Sequence, residues 1–349
     1  MATDPDTDRR RILITRLRFI GDIVLTTPVI RSVREAYPRA YIAYMGDTSA
    51  VALLEQNPFL DEIIPYDYSR PSLLEQARIA LLLRKRRFDT VIDLFGNPRS
   101  ALIARLSGAP LRVGPERKGR GKLYTVRVAD DGRPKTAVEF HNRSIAAIGI
   151  TPRAMAPEIF LSDDERRDAR AYLRWSVGDA ALQGRMIGIH PGATWPAKKW
   201  LPGRFAGLAD MIRAKLQATV VLVGGPGDTE TVNAVRSHAV TAPPALNVLP
   251  LRQLAAVISC FSAFVANDAG PMHIAAALGV PTIGIFGPGE ENIWFPYDAS
   301  RGHTALRHDV PCHPCHLDFC NRTGEEYMQC MNLLTVDTVF AALRNSLSR

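Results

Sequence analysis

"SAFVANDAGPMHIAAALGVPTIGIFGP", Ser262–Pro288, changes character three times. "AFVAN" is a short unbroken apolar run, as a strand buried on both faces requires. "DAG" is a small-residue turn that lets backbone approach a ligand closely. "GPMHIAAALG" is a helix with Pro271 in its first turn, where proline is tolerated. "PTIGIF" is a second strand. Strand, turn, helix and strand in succession make a parallel α/β unit.

The same alternation runs outward in both directions. "RILITR" is a buried strand at Ile12–Thr15, followed by a loop through Gly21 and Asp22 and a helix from about Ile23 to Tyr37. "AYIAYMGD", "FDTVIDLFG" and "PLRVGPE" are further strands, with a helix at Ser100–Leu106. The series restarts at "SDDERRDARAYLRW", where Ser162 and Glu165 have the spacing of a capping box. "GRMIGIHPGA" and "ATVVLVGGPGD" are strands ending in small-residue turns, and "TVDTVFAALRNSL" closes the chain as a helix. Two α/β series imply two Rossmann-like domains, 1–157 and 158–349. Ligands of open α/β sheets bind beyond the carboxyl ends of the strands. Turns of that kind occur at 21–22, 190–194, 224–228, 267–270 and 287–288, so a cleft between two facing sheets is expected.

At 349 residues the chain is long enough for two cores. No apolar run approaches the ~20 residues that span a bilayer. "MATDPDTDRRR" has no apolar centre and is not a secretory signal, so the cytoplasm is the expected compartment. The net charge is +8. It is concentrated: residues 78–135 hold 15 Lys or Arg and 5 Asp or Glu. Such a field suits an anionic partner. Aromatic residues are not interleaved in that run, and no recognition-helix motif is evident, which argues against nucleic acid.

Several residues carry candidate chemistry. Backbone N–H groups at the helix start beside Asp268, Ala269 and Gly270 favour phosphate, and His273 lies one turn inside. Asp268 could instead cap that helix, with His273 a polar surface residue. In "HPGATWPAKKW", Thr194 and Lys198 are spaced to meet one phosphate group together. In "GGPGD", Asp228 could take ribose hydroxyls. That turn is neither a dinucleotide fingerprint nor a phosphate loop of the Walker type. Asp22, with Arg16 and Arg18 just upstream, is a candidate general base, or else the cap of the helix at Ile23.

Together, "RFIGDIVLTTPVIRSVREAYP", "NPRSALIARLSGA", "RVGPERKGRGKLYT", "HPGATWPAKKW", "VLVGGPGD" and "NDAGPMHIAAALGVPTIGIFGP" resemble the lipopolysaccharide heptosyltransferases of glycosyltransferase family 9. The resemblance runs from about Arg11 to the last helix. It implies a GT-B fold whose C-terminal domain holds ADP-L-glycero-D-manno-heptose. The N-terminal domain would meet a lipid A–Kdo or heptosylated inner-core acceptor at the inner face of the inner membrane, an anionic surface. It places the base on Asp22. It places donor contacts on Thr194, Lys198, Asp228 (with Glu230 as alternative), Asp268, Ala269, Gly270 and His273. Acceptor contacts fall on Arg18, Asn97, Arg112, Arg117, Lys118 and Arg120. No cofactor is required for such a transfer.

The cysteines at 312, 315, 320 and 330 remain. C-x₂-C is a common first half of a Zn or Fe site, although the second pair is irregularly spaced. A structural Zn or Fe is therefore one expectation, and four reduced thiols in a loop the other. Two functional alternatives stand beside the main one. One is transfer of heptose to a protein, or of another nucleotide sugar. The other is a non-catalytic, metal-bound nucleic-acid scaffold.

Overall fold

The structure is a computed structural model, described over residues 10–69, 72–133, 135–153 and 155–348. The reading of the first residues as a non-secretory N-terminus lies outside that range. The chain divides into two compact units, one ending at Phe160 and the other beginning at Leu161.

The first unit holds β1 (Arg11–Arg16), β2 (Tyr41–Asp47), β3 (Glu62–Tyr66), β4 (Thr90–Asp93), β5 (Leu111–Pro115) and β6 (Val126–Val128). They form one sheet in the order β3-β2-β1-β4-β5-β6. The second holds β7 (Met186–His190), β8 (Thr219–Gly224), β9 (Ala245–Asn247), β10 (Ala263–Asn267), β11 (Thr282–Phe286) and β12 (Thr304–Arg307), ordered β12-β11-β10-β7-β8-β9. Every strand pair is parallel. Read from its third strand, each sheet has the order 3-2-1-4-5-6 of the doubly wound Rossmann fold. The order reverses between the first and fourth strands, and ligands bind at that switch point. In this chain the switch points lie between β1 and β4 and between β7 and β10.

The central strands are mostly apolar and buried because helices cover both sheet faces. Leu13, Ala43, Met45, Ile64 and Val91 pack with Ile79, Leu83, Ala101 and Ile103 in one core. Ile187, Ile189, Leu222, Val265 and Ile285 pack with Trp200, Phe205 and Leu343 in the other. Leu343 belongs to the closing helix Val336–Leu347. The capping box of Ser162 and Glu165 is present.

One expected helix is two. Helix Ile20–Leu25 ends at Thr26 and a second, Thr27–Ala36, begins at once. Pro28 lacks the N–H that an uninterrupted helix would use and crowds the residue before it. The Thr26 hydroxyl donates to the Ile23 carbonyl at 2.7 Å and the Thr27 hydroxyl to that of Val24 at 2.8 Å.

Candidate functional site

In the second unit, β7 and β10 deliver two loops to the switch point. Asn267, the last residue of β10, is fully buried and joins them. Its Oδ1 accepts from the Trp200 amide at 3.1 Å, and its Nδ2 donates to the Pro191 carbonyl at 2.8 Å. The Trp200 indole donates in turn to the Leu334 carbonyl at 3.0 Å. The 191–200 loop is thereby tied at both ends. It carries Thr194, exposed to solvent, and Lys198, which closes a short 3₁₀ turn Pro196–Lys198.

Lys198 Nζ approaches Asp268 Oδ2 to 2.5 Å and lies over the Trp195 ring. Asp268 is only 7% exposed, so the pair is largely desolvated. The cap of helix Gly270–Ala277 is Ala269, with no side-chain bond. Asp268 therefore does not cap that helix; it fixes Lys198. Nor is His273 a surface residue. It is buried, and its Nδ1 meets the Tyr297 hydroxyl at 2.8 Å. Burial pushes His273 down to about 4, only partly opposed by Asp268 and reinforced by Lys198. The imidazole is neutral at pH 7. Its donor strength toward an anion is that of a neutral N–H, not of a cation.

Asp228 heads helix Thr229–His238 without capping it. Its carboxylate accepts from the Gly225 amide at 2.9 Å and stands 3.9 Å from His190 Nε2. Any Cβ on Gly192 would collide with that carboxylate, so glycine is required for the two loops to meet. Glu230 is exposed in the first turn of the same helix.

In the first unit, Asp22 follows β1 at the switch point. It lies inside the first turn of helix Ile20–Leu25, whose cap is Phe19. The capping reading of Asp22 is thus replaced by an ion pair with Arg16. Arg16 also donates to the Leu94 carbonyl at 3.2 Å and lies over Phe95. Asn97, after β4, caps helix Pro98–Leu106 with a full capping box, and its Nδ2 donates to Tyr68 Oη at 2.9 Å. Arg18 and Arg99 both lie over the ring of that tyrosine. Arg112 is turned inward: its guanidinium donates to the carbonyls of Leu123 and Ala109. Arg117 and Lys118 are exposed, and Arg120 half-buried. Beneath this basic loop, the Tyr124 hydroxyl donates to buried Asp93 at 2.5 Å. Asp93 also accepts from the amides of Phe95 and Gly96. Burial pushes its carboxyl up. Asp93, Tyr124 and Tyr297 were not singled out in the sequence, and Arg16 and Asn267 were noted there without these roles. Their spacing is ordinary, and only the fold brings their partners near.

Cys312, Cys315, Cys320 and Cys330 are free thiols lining a cavity of about 280 Å³. Burial and the three neighbouring cysteines push the Cys330 thiol up to about 11. Among the described residues, no three His, Cys, Asp or Glu side chains are gathered to hold a metal ion. The expected Zn or Fe therefore finds no fitting ligand set. The segment instead backs the loops described above. Ala197 N donates to the Asp318 carbonyl at 3.0 Å, His316 N to that of Pro288 at 3.1 Å, and the His313 ring meets the Gly289 carbonyl at 2.9 Å.

Two Rossmann-like units with polar side chains converging at their switch points define a GT-B glycosyltransferase fold. The family model of glycosyltransferase family 9 (heptosyltransferase) matches residues 77–322, and the chain belongs to that family. It is 29% identical to lipopolysaccharide heptosyltransferase 2 of Escherichia coli K12, over 80% of this chain and 83% of the relative. A family 9 glycosyltransferase from Veillonella parvula superposes with a TM-score of 0.86 at 25% identity, covering 98% of both chains. The structure of E. coli ADP-heptose lps heptosyltransferase II gives 0.79 at 24% identity, covering 97% of this chain and 98% of that one. Family membership makes the protein an enzyme, and the scaffold alternative is set aside.

Proposed function

We propose that the enzyme moves heptose from ADP-L-glycero-D-manno-heptose to the lipid A–Kdo or heptosylated inner core of lipopolysaccharide, by single displacement with inversion. The observation that carries this reading is the shared strand order. It puts a carboxylate, Asp22, at one switch point and a cation beside a helix start at the other.

The units divide the work. Asp22, oriented by Arg16, takes the proton from the acceptor hydroxyl as its oxygen attacks the sugar's anomeric carbon. The bond from that carbon to the diphosphate breaks, and ADP leaves with growing negative charge. Lys198 and the free amides at Gly270 meet that charge. Thr194 and neutral His273 add hydrogen bonds to phosphate, and Asp228 faces the ribose. Asp268 holds Lys198 and reaches a sugar hydroxyl. Arg18, Asn97, Arg117, Lys118 and Arg120 meet acceptor carboxylates and phosphates, while Arg112 shapes their loop. The compartment is the cytoplasmic face of the inner membrane.

Asp22→Asn tests the assignment. Transfer should fall ~10²–10⁴-fold, while ADP affinity by titration calorimetry stays nearly unchanged. Near-normal turnover would remove Asp22 as the base.

A further inference from the structure

Phe19, just upstream of Asp22, stands in a conformation that phenylalanine seldom adopts. Its backbone lies at φ 66° and ψ 130°. Non-glycine residues at positive φ ordinarily occupy the left-handed helical region, as Arg87 and Gln217 do at ψ 53° and 27° where their helices end. Phe19 lies outside that region, in backbone space that glycine enters freely and a bulky side chain only under strain. The backbone is held there: the Phe19 carbonyl accepts from the Ile23 amide at 3.1 Å and so opens helix Ile20–Leu25.

Folding does not account for the side chain. Phe19 is 53% exposed, and glycine at this position would relieve the strain. A singly exposed phenylalanine is ordinary; a strained one beside the carboxylate of Asp22 is not. The ring also belongs to an array. The Arg18 guanidinium lies 4.8 Å from the centre of the Phe19 ring and 5.2 Å from that of Tyr68. Arg99 covers the Tyr68 ring at 4.1 Å and donates to the Tyr68 carbonyl at 2.7 Å, while Asn97 donates to the Tyr68 hydroxyl. Among the described residues, no acceptor or anion meets the Arg18 guanidinium. An aromatic ring with an unpaired guanidinium beside it suits a pyranose that carries a carboxylate. The C–H face of the sugar packs on the ring, and the guanidinium takes the acid.

We propose that Phe19 is the platform on which an acidic pyranose of the acceptor stacks, turning the hydroxyl to be glycosylated toward Asp22. The strained backbone aims the ring. Phe19 touches substrate and moves no proton; its work is to select and place the sugar. The inference deepens the proposed function and rests on that reading for the acceptor's place in the first unit.

Titration calorimetry of the ADP-loaded enzyme with a delipidated, Kdo-bearing core oligosaccharide tests it, beside transfer kinetics and a thermal melt. Phe19→Ala should bind the oligosaccharide about tenfold more weakly, through loss of one ring face of apolar contact. Acceptor KM should rise more than kcat falls, and ADP affinity should stay as in wild type. Phe19→Trp keeps an aromatic face and should restore most of the acceptor affinity. Phe19→Gly should bind as weakly as Phe19→Ala yet melt at a higher temperature, because only glycine is free of strain at this φ. Wild-type acceptor affinity in Phe19→Ala would overturn the proposal. So would acceptor affinity that follows the melting temperature across the three variants, or wild type that does not take up the oligosaccharide. Asp22→Asn should still bind the oligosaccharide without transferring to it. Turnover surviving in Asp22→Asn bears on the base alone; unchanged acceptor affinity in Phe19→Ala bears on Phe19 alone.

Discussion

Lys198 answers to two partners, the diphosphate of the proposed donor and Asp268. The carboxylate is 7% exposed and the ammonium 2.5 Å away. Removing one member of a desolvated pair strands the other charge. Lys198→Ala should therefore lower stability by about 1–3 kcal/mol as well as weaken ADP binding and slow the chemical step. Lys198→Ala/Asp268→Asn separates the effects: the melting temperature should recover while ADP affinity, by calorimetry, stays low. If the double variant binds ADP as wild type, Lys198 is not the phosphate contact. The candidates themselves were legible because their residue types and positions after strands carry meaning. The pairing of Asp268 with Lys198 was not, since 70 residues separate them and only the meeting of β7 with β10 brings them together. The surface reading of His273 fails for the same reason. One turn inside a helix it reads as a surface residue or a phosphate donor, and the Tyr297 ring that packs against it, itself in contact with Phe295 and His303, lies 24 residues away.

At the scale of elements, the staple formed by Asn267 controls how firmly the 191–200 loop is presented. Asn267→Leu keeps approximate volume and deletes the bonds to Trp200 and Pro191. Each polar group left buried and unpaired costs about 1–3 kcal/mol. The loop should open locally. Amide exchange across residues 193–200 should rise, while sheet amides at Ile187–Ile189 stay protected. Uniform exchange across both segments would mean global destabilisation and no special role in the loop. Strands β1, β2, β4, β5, β7, β8, β10 and β11 were evident as apolar runs bounded by turn residues. Less evident were β3, which contains Pro65, and β6, with only three residues. Helix Leu73–Arg86 also escaped, because leucines on two of its faces blur the single apolar stripe on which periodicity depends. The break at Thr26 was hidden because Pro28 suits the start of a helix as well as the interruption of one.

For the whole molecule, the two units should respond differently to acid. Burial depresses His190, and pushes both His273 and His303 down to about 4, in the second unit. In the first unit His141 is depressed to about 3 by burial and by Arg16. A histidine whose folded pKa lies below its unfolded value leaves the unfolded chain binding more protons. Its contribution is present above the unfolded value near 6.5 and is lost as pH falls toward the folded one. Each such histidine costs up to about 1.4 kcal/mol per pH unit in that window. In the first unit burial raises Asp93 and Glu158, so protonation of each favours the folded state where it titrates. Glu165 in the second unit and Asp131 in the first are both held down at about 2, chiefly by Arg252 and Lys135, so losses below pH 4.5 do not separate the units. From pH 7.5 to 5, where three depressed histidines stand against one, residues 161–349 should lose more stability than residues 10–160. The four tryptophans, at 175, 195, 200 and 294, all belong to the second unit, so indole fluorescence reports that unit alone and far-ultraviolet dichroism reports both. The fluorescence midpoint should fall below the dichroism midpoint as pH drops, with the gap absent at pH 7.5 or smaller there. Replacing His303 with Gln should shrink the gap, since one proton-linked group is removed. Midpoints that fall together across the range would show that the units unfold as one cooperative body, or that the buried imidazoles titrate near their ordinary value.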